Sequence, residues 1–282
     1  MGGSILSLPF LIAQISDLHL KAGNKLTYGV VDTLGALRRA VDHLNASMPR
    51  PDIVVISGDL VDFGRPDEYA VLHPELARLS MPYYLVPGNH DVRDHLLAEF
   101  ADHVYLPLCP KSPLDWVVEE HPVRLIGLDS TIPGAHGGQV LDSQMAWLDD
   151  VLGRRPEVPT LLIMHHPPFV TGIGHMDREA FVNGAALEEV IARHPQVERV
   201  LCGHLHRPMQ RRFAGSISCT CPGTSHQIVL DLRDDAPAHF NLEPAGYLLH
   251  RWEAEQGLVT HNGVFGDYPG PYPFYDAQGL ID

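Results

Sequence analysis

The chain has 282 residues, with 20 Lys plus Arg against 35 Asp plus Glu and a formal net charge of −15. Hydrophobic residues make up 45% and charged residues 20%, the balance of a globular protein long enough to bury a substantial core. The acidic balance excludes a reader of nucleic-acid backbone or a protein docked on an anionic membrane, because both need cationic surface.

In chain order, Pro9 to Ile15 predicts a first buried strand. Val31, Leu34, Val41 and Leu44 form an apolar stripe that predicts a helix over 27–47. Ile53 to Ser57 reads as a strand ending at Gly58-Asp59. Pro66 opens a helix running to Leu79, with a kink expected at Pro74. Strands follow at Tyr83 to Pro87, ending at Gly88-Asn89, and at Leu125 to Leu128, ending at Asp129. Asp142 is expected to cap a helix over 142–152 that buries Met145, Leu148, Val151 and Leu152. Thr160 to Met164 ends at His165, Ala185 to Arg193 is helical, and Val197 to Cys202 ends at Gly203-His204.

These strands are apolar on consecutive positions, so both faces are covered, and strand–helix alternation implies layered α/β architecture. Beyond about residue 210 the pattern turns β-rich, with strands expected at Ile217 to Cys221, Gln227 to Leu232, Tyr247 to Glu253 and Leu258 to His261. Residues 266–273 are rich in Pro, Tyr and Gly and read as an extended segment docked on the body or on a neighbour. No apolar run approaches the ~20 residues that span a bilayer. The mildly apolar stretch Ser4 to Ala13 has no Lys or Arg before Lys21, so it lacks a signal-peptide basic region and a cytoplasmic setting is expected. Cys109, Cys202, Cys219 and Cys221 show no CxxC spacing, which suggests neither a zinc ribbon nor a thioredoxin motif.

Histidine is over-represented, at 18 residues. Polar residues of metal-ligand type stand at strand end after strand end: Asp17-x-His19, Gly58-Asp59, Gly88-Asn89-His90-Asp91, His165-His166 and Gly203-His204-x-His206. Carboxyl ends of parallel strands meet at one sheet edge, where open α/β sheets place ligands. A Gly-Asp pair is uninformative alone, whereas Gly-Asn-His followed by an acid arises by chance in about one such chain in two hundred. His165 and His166 would point to opposite sides of a strand, so only one of them need face a site.

On these motifs the chain resembles the calcineurin-like metallophosphoesterases, whose pattern is D-x-H, G-D, G-N-H-[D/E], H and G-H-x-H. It looks closest to the bacterial glycerophosphodiesterase and class III cyclic-nucleotide phosphodiesterase branch, supported by Lys25 to Gly29, Met164 to Pro168 and Pro222 to Gln227. The resemblance implies a four-layer αββα sandwich, with residues 1–210 as catalytic core and 211–282 as remaining core strands, cap or oligomerisation segment and tail. It implies two divalent metals, one held by Asp17, His19, Asp59 and His206. The other is held by Asp59, Asn89, His165 and His204, with Asp59 shared. Such ligands suit Mn, Fe, Co or Zn.

A hydroxide between the metals would attack phosphorus. Asn89, His90 and His226 would contact phosphate, His90 would assist the leaving oxygen, and Asp91 would orient His90. Tyr28 and Asn183 would line the pocket, with structural roles as the alternative, and core packing is the alternative for His226. His73, His121, His175, His194, His239, His250 and His261 match no motif and are expected at surface or core. The implied activity is hydrolysis of small phosphodiesters such as glycerophosphodiesters or 3′,5′-cyclic nucleotides, without nucleic acid or membrane partners and in a homo-oligomer. Alternatives are a phosphomonoesterase or phosphonate monoester hydrolase, and a non-catalytic scaffold of the same fold.

Overall fold

A computed structural model describes residues 8–107, 109 and 112–281. The expectations for Ser4 to Ser7 lie outside the described residues. The first half carries β1 (Phe10–Ile15), α1 (Thr33–Ala46), β2 (Ile53–Ser57), α2 (Pro66–Leu76), β3 (Tyr83–Val86) and α3 (Arg93–Glu99). It is followed by β4 (Trp116–Val118), β5 (Arg124–Gly127), α4 (Asp142–Arg154), β6 (Thr160–Ile163), α5 (Gly174–Asp177), α6 (Gly184–Ala192) and β7 (Val197–Cys202). The last stretch is β-rich: β8 (Met209–Phe213), β9 (Ser216–Thr220), β10 (Gln227–Ile228), β11 (Phe240–Asn241), β12 (Gly246–Glu253), β13 (Gly257–Val264), β14 (Tyr275–Asp276) and β15 (Gly279–Leu280).

Two sheets dominate. One is five-stranded in the order β13-β12-β1-β2-β3, the other six-stranded in the order β4-β5-β6-β7-β9-β8. Strands β1, β2 and β3 run parallel, as do β5, β6, β7 and β9. Side chains of the second sheet alternate between two cores, as the two-residue strand period requires. Leu125, Leu161, Ile163 and Leu201 join the first sheet, α1 and α2; Ile126, Leu162, Val200 and Cys202 join Leu148, Leu152, Leu187 and Ile191 of α4 and α6. Helix–sheet–sheet–helix layering follows, and it explains why the strands are apolar at every position.

Several local expectations change. The first helix starts at Thr33 rather than 27, because Thr27 to Val31 closes a turn and Asp32 Oδ1 caps the Gly35 N–H at 2.9 Å. Helix α2 stops at Leu76, two residues past Pro74, whose missing N–H weakens the final turn. Asp142 is not the cap of α4: Leu141 occupies that position, and its N–H donates to Gln144 Oε1 at 2.9 Å. The expected strand over 227–232 shrinks to the two-residue β10, while β4 and β8 form strands the sequence pattern did not single out. In the tail, Tyr268, Tyr272, Phe274 and Tyr275 are exposed, so their rings are not docked on the body.

Candidate metal centre and cavity

The carboxyl ends of β1, β2, β3, β6 and β7 converge on one edge, and the loop after each one carries a polar group into a shared centre. Glycines permit the approach. Gly58 has φ +92°, and a Cβ there would stand 2.4 Å from His165 Nδ1; a Cβ on Gly203 would stand 2.2 Å from Ser16 Oγ. Asp17, His19, Asp59, His204 and His206 all have positive φ, between 44° and 70°. Backbone of this kind is uncommon outside glycine and clusters where a site over-determines its geometry.

Asp59 lies at the middle. Its Oδ2 is 3.5 Å from His19 Nε2 and 3.3 Å from His165 Nε2, and its Oδ1 accepts the His90 N–H at 2.9 Å. On one side, His19 Nε2 is 3.1 Å from His206 Nε2, which lies 3.4 Å from Asp17 Oδ1. Asp17, His19, Asp59 and His206 each bring a ligand atom within 4.8 Å of the others. On the other side, His165 Nε2 is 3.1 Å from Asn89 Oδ1, and the His204 ring centroid is 5.1 Å from that of His165. All seven residues singled out by motif are therefore brought together.

The outward nitrogen of three of these imidazoles is committed. His165 Nδ1 meets Ser57 O at 2.8 Å, His206 Nδ1 meets His226 O at 3.1 Å, and His19 Nδ1 meets Asp62 Oδ1 at 3.3 Å. A carbonyl can only accept, so these rings donate from Nδ1 and turn Nε2 inward, the arrangement that orients metal-binding histidines. Two Nε2 atoms facing each other at 3.1 Å, beside a buried Asp17 carboxylate whose Oδ2 has no hydrogen-bond partner, are a donor set suited to a cation. The residues thus fit divalent ions.

The electrostatics agree. Burial, with the Asp59 charge nearby, pushes Asp17 up to about 6 even though His165 pulls it down. Burial also opposes the Asp59 charge, but His165 and His90 hold that carboxyl well below its ordinary range. His165 is raised to about 9 because Asp59 outweighs burial, whereas burial and His19 lower His206 to about 3.

His166 turns away, as the strand argument requires of one of the pair. Its Nδ1 meets Ser130 Oγ at 2.9 Å and its Nε2 meets His136 O at 3.1 Å. His226 is buried in the cavity wall, with its ring centroid 4.6 Å from that of His206 and its Nδ1 3.0 Å from Ser225 Oγ. Asn183 braces a loop through the Val140 backbone N–H and carbonyl.

Asp91 requires a correction. Its Oδ2 accepts from the Gly88 N–H at 2.8 Å and the Leu60 N–H at 3.0 Å, and its Oδ1 accepts from the Tyr69 hydroxyl at 2.8 Å. It ties the β2 and β3 loops together and does not orient His90. That task falls to the Asp62 carbonyl, 2.8 Å from His90 Nδ1. Asp62 also holds His19 and pairs with Lys21 at 3.1 Å. Only its place three residues after Asp59 could have flagged it.

The centre opens into a cavity of about 530 Å³. Its inner wall includes His19, Asp59, Asn89, His90, His204 and His206; Tyr28, Ile228 and Phe240 form part of the outer wall. His136, His175 and His239 also line it, although no motif marked them and two of them were expected at surface or core. Among the described residues that line the cavity, none is Lys or Arg.

The sequence pattern of the family described as Calcineurin-like phosphoesterase matches residues 10–208. A probable glycerophosphodiester phosphodiesterase GpdQ of Arcobacter nitrofigilis is 39% identical over 274 residues, 96% of this chain and 100% of the relative. A probable cyclic nucleotide phosphodiesterase of Rhodopseudomonas palustris is 32% identical over 270 residues, 94% of this chain and 96% of the relative. Among solved structures, a dimetal phosphatase from Danio rerio superposes with a TM-score of 0.63 at 17% identity, covering 92% of this chain and all of that one.

Proposed function

Since the chain belongs to the calcineurin-like phosphoesterase family, we propose that it is a dinuclear metal-dependent phosphodiesterase acting on small phosphodiesters, glycerophosphodiesters and 3′,5′-cyclic nucleotides among them. One observation carries this reading. Carboxylates and inward imidazole nitrogens converge at the floor of a cavity whose described lining offers no Lys or Arg to meet a phosphoryl charge.

Asp17, His19, Asp59 and His206 would hold one ion, and Asp59, Asn89, His165 and His204 the other. Imidazole, carboxylate and amide ligands suit Mn, Fe, Co or Zn. When bound, such a pair supplies Lewis acidity toward phosphoryl oxygens and lowers the pKa of a water to near neutrality.

The chain's own residues do the rest. Asn89 and His90 position the phosphoryl group, with His226 beside it. The Asp62 carbonyl commits His90 Nδ1, which leaves Nε2 to carry a proton to the leaving oxygen. In the balanced step, the oxygen of water bonds to phosphorus and gives up a proton to solvent, one ester P–O bond breaks, the alcohol departs with the proton from His90, and His90 regains a proton from solvent.

The test is chelator-stripped protein reloaded with Mn²⁺ and assayed on bis(p-nitrophenyl) phosphate. Turnover should return with the metal, and His90→Ala should lower kcat by about 10²- to 10⁴-fold, the usual share of general acid–base catalysis. Loaded protein that hydrolyses neither diester nor monoester would contradict the reading. His90→Ala at full rate would contradict the role given to His90.

The same proposal extends to assembly and setting. Exposed Tyr268, Tyr272, Phe274 and Tyr275 support a contact between copies, since aromatics favour interfaces. Buried, unpaired thiols at Cys202, Cys219 and Cys221 support a reducing, cytoplasmic setting.

A further inference from the structure

The cavity has two chemically different walls. The inner wall is the metal centre. The outer wall is built by Tyr28, Met176, Ile228, Ala238 and Phe240. The Tyr28 and Phe240 ring centroids are 4.9 Å apart at an interplanar angle of 35°. Both rings present to His226 nearly edge to face, at 79° and 76°, so the aromatic wall runs directly into the site that would bind phosphate.

This wall is built rather than incidental. Tyr28 has φ +51° in a turn closed by the Thr27–Val31 bridge, yet the residue remains 52% exposed. Phe240 is pinned by its pairing with Ile228 across β10 and β11. A strained backbone that holds an uncovered aromatic over a cavity points to a ligand surface. Burial raises the Tyr28 hydroxyl to about 12, with the Asp62, Asp59 and Asp17 charges adding to it, so it stays a donor.

The wall's chemistry selects among alcohols. A polyol chain gains no stacking from these rings, and its hydroxyls would be left to polar lining residues such as Glu179 and His239. A second anionic group would meet no Lys or Arg among the described lining residues. A flat heteroaromatic or aryl group would stack on the rings, and the exposed His239 imidazole lines the same cavity.

We propose that Tyr28, Phe240 and Met176 form the subsite for the ester substituent of the diester, and that this subsite selects nucleoside and aryl phosphodiesters over glycerol-type ones. The inference rests on the phosphodiesterase reading above and narrows it. Binding energy from the non-reacting body of the substrate is gained on this wall, and it helps hold phosphorus over the centre.

The experiment measures kcat/KM for Mn²⁺-loaded wild type, Phe240→Leu and Phe240→Ala on 3′,5′-cyclic AMP, bis(p-nitrophenyl) phosphate and glycerophosphoethanolamine. Calorimetric binding of adenosine monophosphate and glycerol 3-phosphate gives a readout independent of turnover. Wild type should favour the two aromatic diesters. Phe240→Ala should lower their kcat/KM, and weaken adenosine monophosphate, by about tenfold, the scale of one base–aromatic stack. Glycerophosphoethanolamine turnover and glycerol 3-phosphate binding should change little, and Phe240→Leu, which keeps apolar bulk and local packing, should fall in between. An equal loss on all three substrates, or a wild-type preference for glycerophosphoethanolamine, would overturn the subsite while leaving the phosphodiesterase intact. Loaded wild type inert on all three would overturn the functional reading and the subsite with it.

Discussion

Position 58 tolerates no side chain while His165 keeps its place. The φ of +92° disfavours any L residue, and the missing Cβ would overlap the imidazole at 2.4 Å. Gly58→Ala should therefore destabilise the protein by about 1–3 kcal/mol from backbone strain alone, read as a lower urea midpoint. It should also displace His165 and weaken metal loading. An unchanged midpoint would show that the loop relaxes freely.

At this scale the sequence was informative where function demands a residue type within a short spacing. Asp17, His19, Asp59, Asn89, His165, His204 and His206 carry their own signal because each sits beside a strand end and most sit beside a glycine or a second ligand. Asp91 and Asp62 show the limit. Asp91 ends a motif and Asp62 lies three residues after Asp59, and which of them supports His90 depends on how two loops fold over each other. The supporting atom is a backbone carbonyl, which no side-chain pattern reveals.

Among elements, β12 ties the C-terminal stretch back to the beginning of the chain. It pairs antiparallel with β1, placing His250 opposite Ile12, and with β13, placing it opposite Thr260. His250 is fully buried. Its Nδ1 meets Thr260 Oγ1 at 2.9 Å and its Nε2 meets Gln14 Oε1 at 3.2 Å. Burial, with the Arg199 charge adding to it, lowers this imidazole to about 3 from its ordinary 6.5.

The unfolded chain takes up a proton here below about pH 6.5, whereas the folded chain does not until about pH 3. Stability from this residue is therefore full above pH 6.5 and is lost as pH falls toward 3. Between pH 7 and 5 wild type should lose about 2 kcal/mol through this one group. His250→Gln, whatever its stability at pH 7, should lose that much less over the same interval in urea melts. Parallel pH profiles for the two proteins would exclude His250 as the responsible group.

Long apolar strands and the helices between them were readable because burial on both faces leaves an uninterrupted signal. The short β4 and β11 were not, because two or three residues carry no period, and β10 is only the start of the strand expected over 227–232. Strand β8 was missed because Gln210, Arg211 and Arg212 are exposed on an edge strand and read as loop. Phe240 sits on β11, which is why the aromatic wall of the cavity is not legible in the sequence, and His175 and His239 match no motif that would place them there.

For the whole molecule, two sheets packed face to face bring their parallel strand ends to one edge. That topology places an Asp from β1, an Asp from β2, an Asn from β3 and histidines from β6 and β7 around one point. It does so in a chain of net charge −15, where a phosphodiester gains little attraction from the protein itself. On the proposed reading metal would supply the positive charge at the centre, and Asp59, whose Oδ2 lies 3.5 Å from His19 Nε2 and 3.3 Å from His165 Nε2, would serve both halves of it. The most direct measurement is elemental metal content after reloading with excess Mn²⁺ and desalting, for wild type, Asn89→Ala and Asp59→Ala, with folding checked by circular dichroism. The account expects about two equivalents in wild type, as a two-metal site requires, about one in Asn89→Ala and close to none in Asp59→Ala. A folded Asp59→Ala protein that retains both ions would contradict it.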